Sequence, residues 1–67
     1  MPEGTVKWFN PKKGFGFITA EDGVDIFVHK NNVDYVGHRD YLYKGLKVKF
    51  EIEKTPDSLK AIKVRIL

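Results

Sequence analysis

Along much of this chain, hydrophobic and polar residues alternate in short runs that glycine, proline, asparagine and aspartate interrupt. The clearest run is residues 47–53, KVKFEIE, in which every second side chain is apolar. Side chains of a β-strand point alternately to opposite faces, so this run predicts a strand with Val48, Phe50 and Ile52 facing a core. No stretch has the spacing of an amphipathic helix.

The same reasoning divides the chain into five predicted strands joined by turns. They are residues 4–9, 14–20, 24–29, 47–53 and 59–66. The Asp-Gly pair at 22–23 predicts a tight turn after the second strand. In the last strand, Ile62, Val64 and Ile66 are predicted to share one face. Residues 31–43 are the longest irregular stretch, which we interpret as a functional or covering loop.

Five short antiparallel strands leave exposed edges unless the sheet closes on itself. The predicted fold class is therefore all-β, a five-stranded antiparallel barrel. An oligonucleotide-binding (OB-fold) barrel and an SH3-like barrel both fit this pattern. There is no internal repeat, linker or low-complexity segment, so residues 1–67 are expected to form a single domain.

The composition is that of a globular protein, with 42% hydrophobic and 31% charged residues among 67. Cysteine is absent, which excludes disulfides and thiolate-held zinc. No apolar run approaches the roughly 18 residues needed to span a bilayer, and the first residues lack the pattern of a secretory signal. We therefore expect a cytoplasmic domain with no membrane partner.

Charge and aromatic content add information about the partner. The 12 Lys and Arg residues outnumber the 9 Asp and Glu residues by 3, a balance that permits a polyanionic partner without requiring one. The 5 Phe, 3 Tyr and 1 Trp residues are too many for so small a core. Some of these rings are therefore expected at the surface.

Alternation places one set of side chains on a common face of the second and third strands. This set is Phe15, Phe17, Thr19, Asp25, Phe27 and His29. Ile18, Ile26 and Val28 then face the core, and the reverse assignment is disfavoured because it would bury an acid and a histidine among the rings. Each exposed Phe forgoes about 1.5–3 kcal/mol of burial. Aromatic rings on one face, with the basic residues Lys12 and Lys13 directly before the second strand, are typical of stacking platforms for single-stranded bases.

Three segments closely resemble a bacterial cold-shock protein. They are residues 7–10 (KWFN), 13–18 (KGFGFI) and 26–29 (IFVH). The two hairpin segments look like that family's two ribonucleoprotein motifs. The resemblance implies an OB-fold barrel that binds single-stranded RNA and DNA with low sequence specificity, as an RNA chaperone or a regulator of transcription or translation, without catalysis.

The resemblance also implies roles for individual residues. Base stacking falls on Trp8, Phe15, Phe17, Phe27 and His29. Positions near backbone phosphates correspond to Lys7 and Lys13, and polar positions that touch bases correspond to Asn10 and Asp25. The placement of Trp8 rests on the resemblance, because strict alternation gives it the face of Val6. A bulge or coil near residues 10–11 would free it.

The chain departs from the family pattern at Lys30, where an aromatic residue usually follows the histidine. A cation there is expected to contact phosphate and to make binding more sensitive to salt. The strand is expected to end or twist at this point. In the long loop, the usual aromatic falls near His38 and Arg39, with Tyr35 as a substitute, and Arg39 is included in the predicted interface. The loop at 54–58 is shorter than the family norm and lacks Arg, which weakens the resemblance there.

Other functions are less consistent with the residues. An RNA-recognition-motif domain shares the string KGFGF but needs two helices and the opposite order of motifs. An enzyme is disfavoured because no nucleophile has a recognisable base beside it, and Asp25 and His29 are roughly 13 Å apart along one strand. Two histidines and scattered carboxylates lack the spacing of a metal site, so we expect no metal and no cofactor.

The remaining alternative is an SH3-like barrel that binds peptides. Its groove would use Tyr35, Tyr41 and Tyr43, for which we favour packing of the loop over the barrel end. The basic residues of the last strand are Lys60, Lys63 and Arg65, which we interpret as a solvated face rather than an extended basic surface. The predicted protein is a monomer.

Overall fold

Six strands follow one another in the computed structural model, which describes residues 2–34 and 42–67. They are β1 (Glu3–Asn10), β2 (Phe15–Ala20), β3 (Asp25–His29), β4 (Val33–Asp34), β5 (Lys47–Lys54) and β6 (Leu59–Ile66). A single 3-10 turn, Lys30–Asn32, separates β3 from β4. Within these residues, no helix is long and apolar enough to cross a membrane.

The longer strands coincide with the five predicted ones and differ from them by at most one residue at either end. The two-residue β4 lies in the segment that the sequence predicts as a loop. The remainder of that predicted loop, at positions 35–41, lies outside the described residues. The strand positions could be predicted because each alternating run is bounded by turn-forming residues.

The sheet closes into a barrel through a contact between β3 and β6. Neighbouring strands pair antiparallel in the order β3, β2, β1, β5, β6. β3 then meets β6 in a parallel pairing of Phe27 with Lys60 and Val28 with Ala61. The predicted five-stranded barrel is confirmed, and its closing pair is parallel. Alternation within a strand carries no information about the direction of a distant neighbour.

Apolar side chains from all five long strands and from residue 42 fill the barrel. In the described chain the core consists of Val6, Ile18, Ile26, Val28, Leu42, Val48, Phe50, Ala61 and Val64, each at most 1% exposed. The predicted core residues Ile18, Ile26 and Val28 are among them. Every second side chain of β2 and β3 therefore points into the barrel, and the side chains between them point outward.

A bulge interrupts the pairing of β5 with β6. Lys49 pairs with Arg65, but Glu51 pairs with Ile62, so that two residues of β6 face one residue of β5. Lys63, within the bulge, has a φ angle of 52°, in the left-handed region that non-glycine residues seldom occupy. Such an extra residue reverses the alternation of the strand that contains it.

This reversal overturns one prediction. Ala61 and Val64, three positions apart, are both fully buried, whereas Ile62 is only half-buried and is absent from the core cluster. The prediction that Ile62 shares a face with Val64 and Ile66 is therefore wrong. A count of alternating positions cannot reveal an extra residue when the bulge itself consists of ordinary strand-forming residues.

Ile52 also differs from its prediction, because 43% of its surface is exposed. β1 pairs with β5 only over residues 47–49. The later part of β5 therefore extends past its pairing with β1. There Ile52 lies beside Pro2 and Ala20 around an open cleft. The prediction that Ile52 faces the core is wrong because the strand continues past the filled part of the barrel.

Matched substitutions test this assignment. We expect Ile18→Val to lower the free energy of unfolding by about 0.5–1.5 kcal/mol, because a buried methylene group is lost. Ile52→Val, the same chemical change at an exposed position, is expected to change it by less than about 0.5 kcal/mol. Urea unfolding followed by intrinsic fluorescence measures both values. Equal losses in the two variants would contradict the exposed position of Ile52.

Candidate nucleic-acid interface

The outward side chains of β2 and β3 form cross-strand pairs. Phe15 pairs with His29, Phe17 with Phe27 and Thr19 with Asp25. The intervening isoleucines and valine of these strands are at most 1% exposed. The two faces are therefore separated as alternation predicts, and one surface carries both rings and polar groups.

A bulge in β1 brings Trp8 onto this same surface. The register of β1 against β2 shifts between Val6 and Trp8, so that Lys7 is an extra residue. Because the extra residue reverses the alternation, Val6 is buried while Trp8 is 40% exposed. A bulge does bring Trp8 to this face, as the resemblance implies, but it precedes Trp8 and does not lie near residues 10–11.

Trp8, Phe15, Phe17 and Phe27 pack in a closed cycle, which we call the aromatic surface. The ring centroid of Trp8 lies 5.9 Å from that of Phe15 and 5.5 Å from that of Phe17. The centroid of Phe27 lies 6.0 Å from that of Phe15 and 5.8 Å from that of Phe17. Two of these contacts, at 74° and 78°, are edge-to-face, a favoured arrangement. The three Phe side chains are half-buried, so mutual packing lowers the cost of exposing them.

Beneath the aromatic surface, β1 and β2 approach each other closely at Gly16. A Cβ atom at Gly16 would overlap the carbonyl oxygen of Trp8 and would lie 2.7 Å from the Cα atom of Phe9. Both atoms belong to the backbone, so they cannot move away without disturbing the strand pairing. Glycine at this position therefore allows Trp8 to sit within contact distance of the β2 rings.

The turn from β1 to β2 is held by the side chain of Asn10. Its Oδ1 accepts hydrogen bonds from the backbone N–H groups of Lys12 at 3.0 Å and Lys13 at 3.1 Å, as in an Asx turn. Asn10 pairs with Phe15, so the turn that contains both lysines lies next to the Phe15 end of the aromatic surface. The turn uses Oδ1 of Asn10, and the amide Nδ2 remains for the predicted contact with a base.

Lys7, Asp25 and Thr19 form a polar group at the opposite end of the β2–β3 face. The Lys7 Nζ donates to Oδ2 of Asp25 at 2.6 Å, and the Thr19 hydroxyl donates to Oδ1 at 2.9 Å. The side chains of Lys7 and Asp25 are 53% and 38% exposed. Lys7, predicted near phosphates, and Asp25, predicted near bases, are thus paired with each other.

The hydrogen bond from Lys7, followed by the one from Thr19, holds the pKa of Asp25 below its ordinary value of 3.8. The carboxyl is therefore ionised throughout the neutral range and acts only as a hydrogen-bond acceptor. Because the pair lies at the surface, it contributes little to stability and is screened by salt. A phosphate group can compete with Asp25 for the Lys7 ammonium.

His29 ends β3 and begins the 3-10 turn. Its Nδ1 accepts a hydrogen bond from the backbone N–H of Asn31 at 3.1 Å. The next residue, Lys30, is exposed, and its backbone N–H donates to the carbonyl oxygen of Gly14 at 2.9 Å. A Cβ atom at Gly14 would lie 2.9 Å from Cδ of Lys30, so the aliphatic part of Lys30 lies against this glycine. β3 thus ends before Lys30, as expected.

The cations around the aromatic surface differ in their pairing. Lys7 is neutralised by Asp25, whereas Lys12, Lys13 and Lys30 make no ion pair within the described part of the chain. The Phe15 end of the surface is therefore the more positive one. This asymmetry favours the approach of an anion at that end.

On β6, two of the three basic residues have acidic partners. The Nζ of Lys63 lies 3.5 Å from Oε2 of Glu51, and Nε of Arg65 lies 3.2 Å from Oδ2 of Asp34. These pairs are exposed and weak, yet they reduce the net positive charge of the strand. The geometry favours the interpretation of a solvated face.

Several predicted residues lie outside the described part of the chain. They are Arg39, together with Tyr35, His38 and Tyr41. Tyr43, the remaining tyrosine of the peptide-binding alternative, is described and is 39% exposed. The roles proposed for these loop residues therefore stay predictions.

Two participants were missed in the sequence. Thr19 orients Asp25, and alternation already assigned it to the same face, so the signal for it was present. Asn31 acts on His29 through its backbone N–H, which every residue except proline has, so no side-chain signal existed. Within residues 2–34 and 42–67, no group of three or more His, Asp or Glu residues could hold a metal ion.

A closed barrel with packed rings on one face, bordered by lysines that make no ion pair among the described residues, has the features of a nucleic-acid-binding domain. The family model described as the 'Cold-shock' DNA-binding domain matches residues 2–67. A probable cold shock protein A of Mycobacterium tuberculosis is 52% identical over 68 residues, which cover 100% of each chain. Cold shock protein CspC of Bacillus subtilis is 45% identical over 65 residues, or 97% of each chain. The chain belongs to the cold-shock DNA-binding domain family, whose members bind nucleic acid.

A solved structure agrees with this assignment at the level of the fold. The Drosophila structure named Unr CSD456 has a TM-score of 0.80 and 24% sequence identity to this chain. The match covers 98% of this chain and 26% of the other. The predicted OB-fold barrel is therefore confirmed.

The Lys7–Asp25 pair gives a titration test. We expect the Asp25 carboxyl to titrate below pH 3.8 in the folded protein, as followed by carboxyl ¹³C NMR. A depressed pKa stabilises the fold above the unfolded value, and this stabilisation is lost as pH falls through the folded value. Lys7→Ala should raise the pKa of Asp25, because the largest cause of the shift is removed, and the control Lys12→Ala should leave it unchanged. Equal effects of both variants would contradict a specific pair.

Proposed function

We propose that residues 1–67 are a single cold-shock domain that binds single-stranded RNA and DNA with low sequence specificity. The observation that carries this proposal is the aromatic surface, four mutually packed rings beside lysines that have no acidic partner among the described residues. Every base has a π-face, so stacking on such rings tolerates any sequence. A duplex hides those faces, and the proposed ligand is therefore unpaired.

Stacking is the main source of the proposed affinity. Trp8, Phe15, Phe17 and Phe27 form the platform, and His29 extends it at the Phe15 end. Each stacked base contributes about 1–3 kcal/mol, which exceeds the residual cost of keeping half-buried rings at the surface. The rings are held by packing against one another, so little conformational entropy is lost when bases bind.

Phosphate contacts are proposed for the lysines that border the rings. Lys13 and Lys30 lie at the Phe15 end without acidic partners in the described chain, and Lys7 becomes available when phosphate displaces Asp25. Asn10 and Asp25 are proposed to touch base edges through the amide Nδ2 and the carboxylate oxygens. Arg39 is proposed as a further contact from the loop.

The cellular role proposed from this binding is that of an RNA chaperone or a regulator of transcription or translation. A surface that binds unpaired bases without reading their sequence stabilises RNA in its single-stranded form. We propose that the protein acts as a monomer in the cytoplasm, with no catalytic step and no cofactor. Its curated relatives from Mycobacterium tuberculosis and Bacillus subtilis carry cold shock names.

Matched Phe→Ala variants test the stacking surface. We expect Phe15→Ala and Phe27→Ala each to weaken binding of a thymine-rich single strand by about 1–3 kcal/mol, with little loss of folding. Phe50→Ala, at a ring with 0% exposure, is expected to lose about 3–5 kcal/mol of stability instead. Calorimetric titration and urea unfolding separate the two effects. If Phe15→Ala and Phe27→Ala unfold the domain and binding follows the folded fraction, the stacking proposal fails.

The salt dependence of binding tests the role of Lys30. Each phosphate neutralised on a single strand contributes about 0.7 to the slope of log K against log salt concentration. We expect Lys30→Ala to make this slope shallower by about that amount. Lys63→Ala removes the same charge from β6, where Lys63 is paired with Glu51, and should leave the slope unchanged. Equal changes in both variants would indicate a general charge effect and not a contact made by Lys30.

A further inference from the structure

The imidazole of His29 is fixed through one of its nitrogens. The backbone N–H of Asn31 donates to Nδ1 at 3.1 Å, and a nitrogen that accepts a hydrogen bond carries no proton. In a neutral imidazole the single proton must then reside on Nε2. The contact therefore selects the tautomer in which Nε2–H is a hydrogen-bond donor.

The Asn31 amide is held by the backbone on both sides. The 3-10 turn starts directly after His29, whose φ and ψ angles are −111° and 146°, and Val33 closes it with an N–H donated to the carbonyl of Lys30. Lys30 is itself tied to Gly14 through a 2.9 Å backbone hydrogen bond. The donor that fixes His29 is thus part of a hydrogen-bonded turn and does not depend on any side chain.

The other nitrogen of His29 faces no such constraint. Within the described chain, Nε2 of His29 has no hydrogen-bond partner, and the ring is half-exposed. His29 is the cross-strand neighbour of Phe15, at the edge of the aromatic surface. A donor of fixed position therefore lies beside the platform on which, under the proposed function, a base stacks.

We propose that His29 is a specificity-determining residue that donates Nε2–H to an acceptor atom of the base stacked on Phe15, a carbonyl oxygen in the case of thymine or uracil. This inference rests on the proposed function. A base acceptor is favoured over phosphate because Lys13 and Lys30, at the same end, offer stronger charge-assisted bonds to phosphate. The Asn31 amide is the positioning group that keeps the donor on the correct nitrogen.

The first test concerns the free protein and requires no ligand. At about pH 8, where a histidine is normally neutral, ¹⁵N NMR of the His29 ring should give a protonated Nε2 and an unprotonated Nδ1. Asn31→Ala retains the backbone N–H and should leave this pattern unchanged. A protonated Nδ1, or equal populations of the two tautomers, would overturn the proposal.

The second test is a thermodynamic cycle, in which the affinities of the wild-type protein and of one variant are compared for a normal and a modified ligand. The probes are hexathymidylate and the same strand with difluorotoluene in place of thymine, which keeps the shape of the base but replaces its carbonyl oxygens. His29→Phe keeps a flat ring and removes the donor. We expect the wild-type protein to lose about 3–10-fold more affinity on the base replacement than His29→Phe does.

The outcomes distinguish this inference from the proposed function. Equal losses for the wild-type protein and His29→Phe would overturn the donor role while single-strand binding itself stands. If hexathymidylate does not bind the wild-type protein, the proposed function fails and the donor role fails with it. Asn31→Ala should lose as much affinity on the base replacement as the wild-type protein does. If it lost only as much as His29→Phe does, the assignment to the backbone amide would be contradicted.

Discussion

The site depends on one extra residue in β1. Without the bulge at Lys7, strict alternation would give Trp8 the same face as the buried Val6. With it, the indole joins the Phe rings of β2 and completes a cycle of four contacts. Gly16 permits this arrangement because a side chain there would collide with the backbone of β1. One local irregularity therefore links the packing of the core to the composition of the surface.

The rings and charges of this face support one another energetically. A domain of 67 residues buries too little surface to tolerate isolated exposed rings easily, and the mutual packing of these four reduces the cost. Lysines gather at the Phe15 end, while Asp25 neutralises Lys7 at the other. Under the proposed function, the surface combines sequence-independent stacking with a charge that is more positive at the Phe15 end, and we propose that a fixed polar group at this end, His29, contacts a base.

Much of the fold was predictable because alternation and turn residues mark each strand, and the faces of β2 and β3 followed directly. The errors at Ile52 and Ile62 have a common origin, since neither a bulge nor the end of a neighbouring strand is visible in a hydrophobic pattern. The partners of Asn10, Asp25 and His29 required the register of the strands and the path of the backbone. The family resemblance, rather than periodicity, identified Trp8 as a surface residue.

The most direct test of single-strand stacking is the fluorescence of Trp8, the one tryptophan in the chain. It is titrated with a thymine-rich single strand, with a duplex of the same sequence, and with the single strand at higher salt. We expect strong quenching by the single strand, none by the duplex, and weaker binding as salt increases. An unchanged signal together with no binding in a direct assay, or equal quenching by duplex, would contradict single-strand stacking.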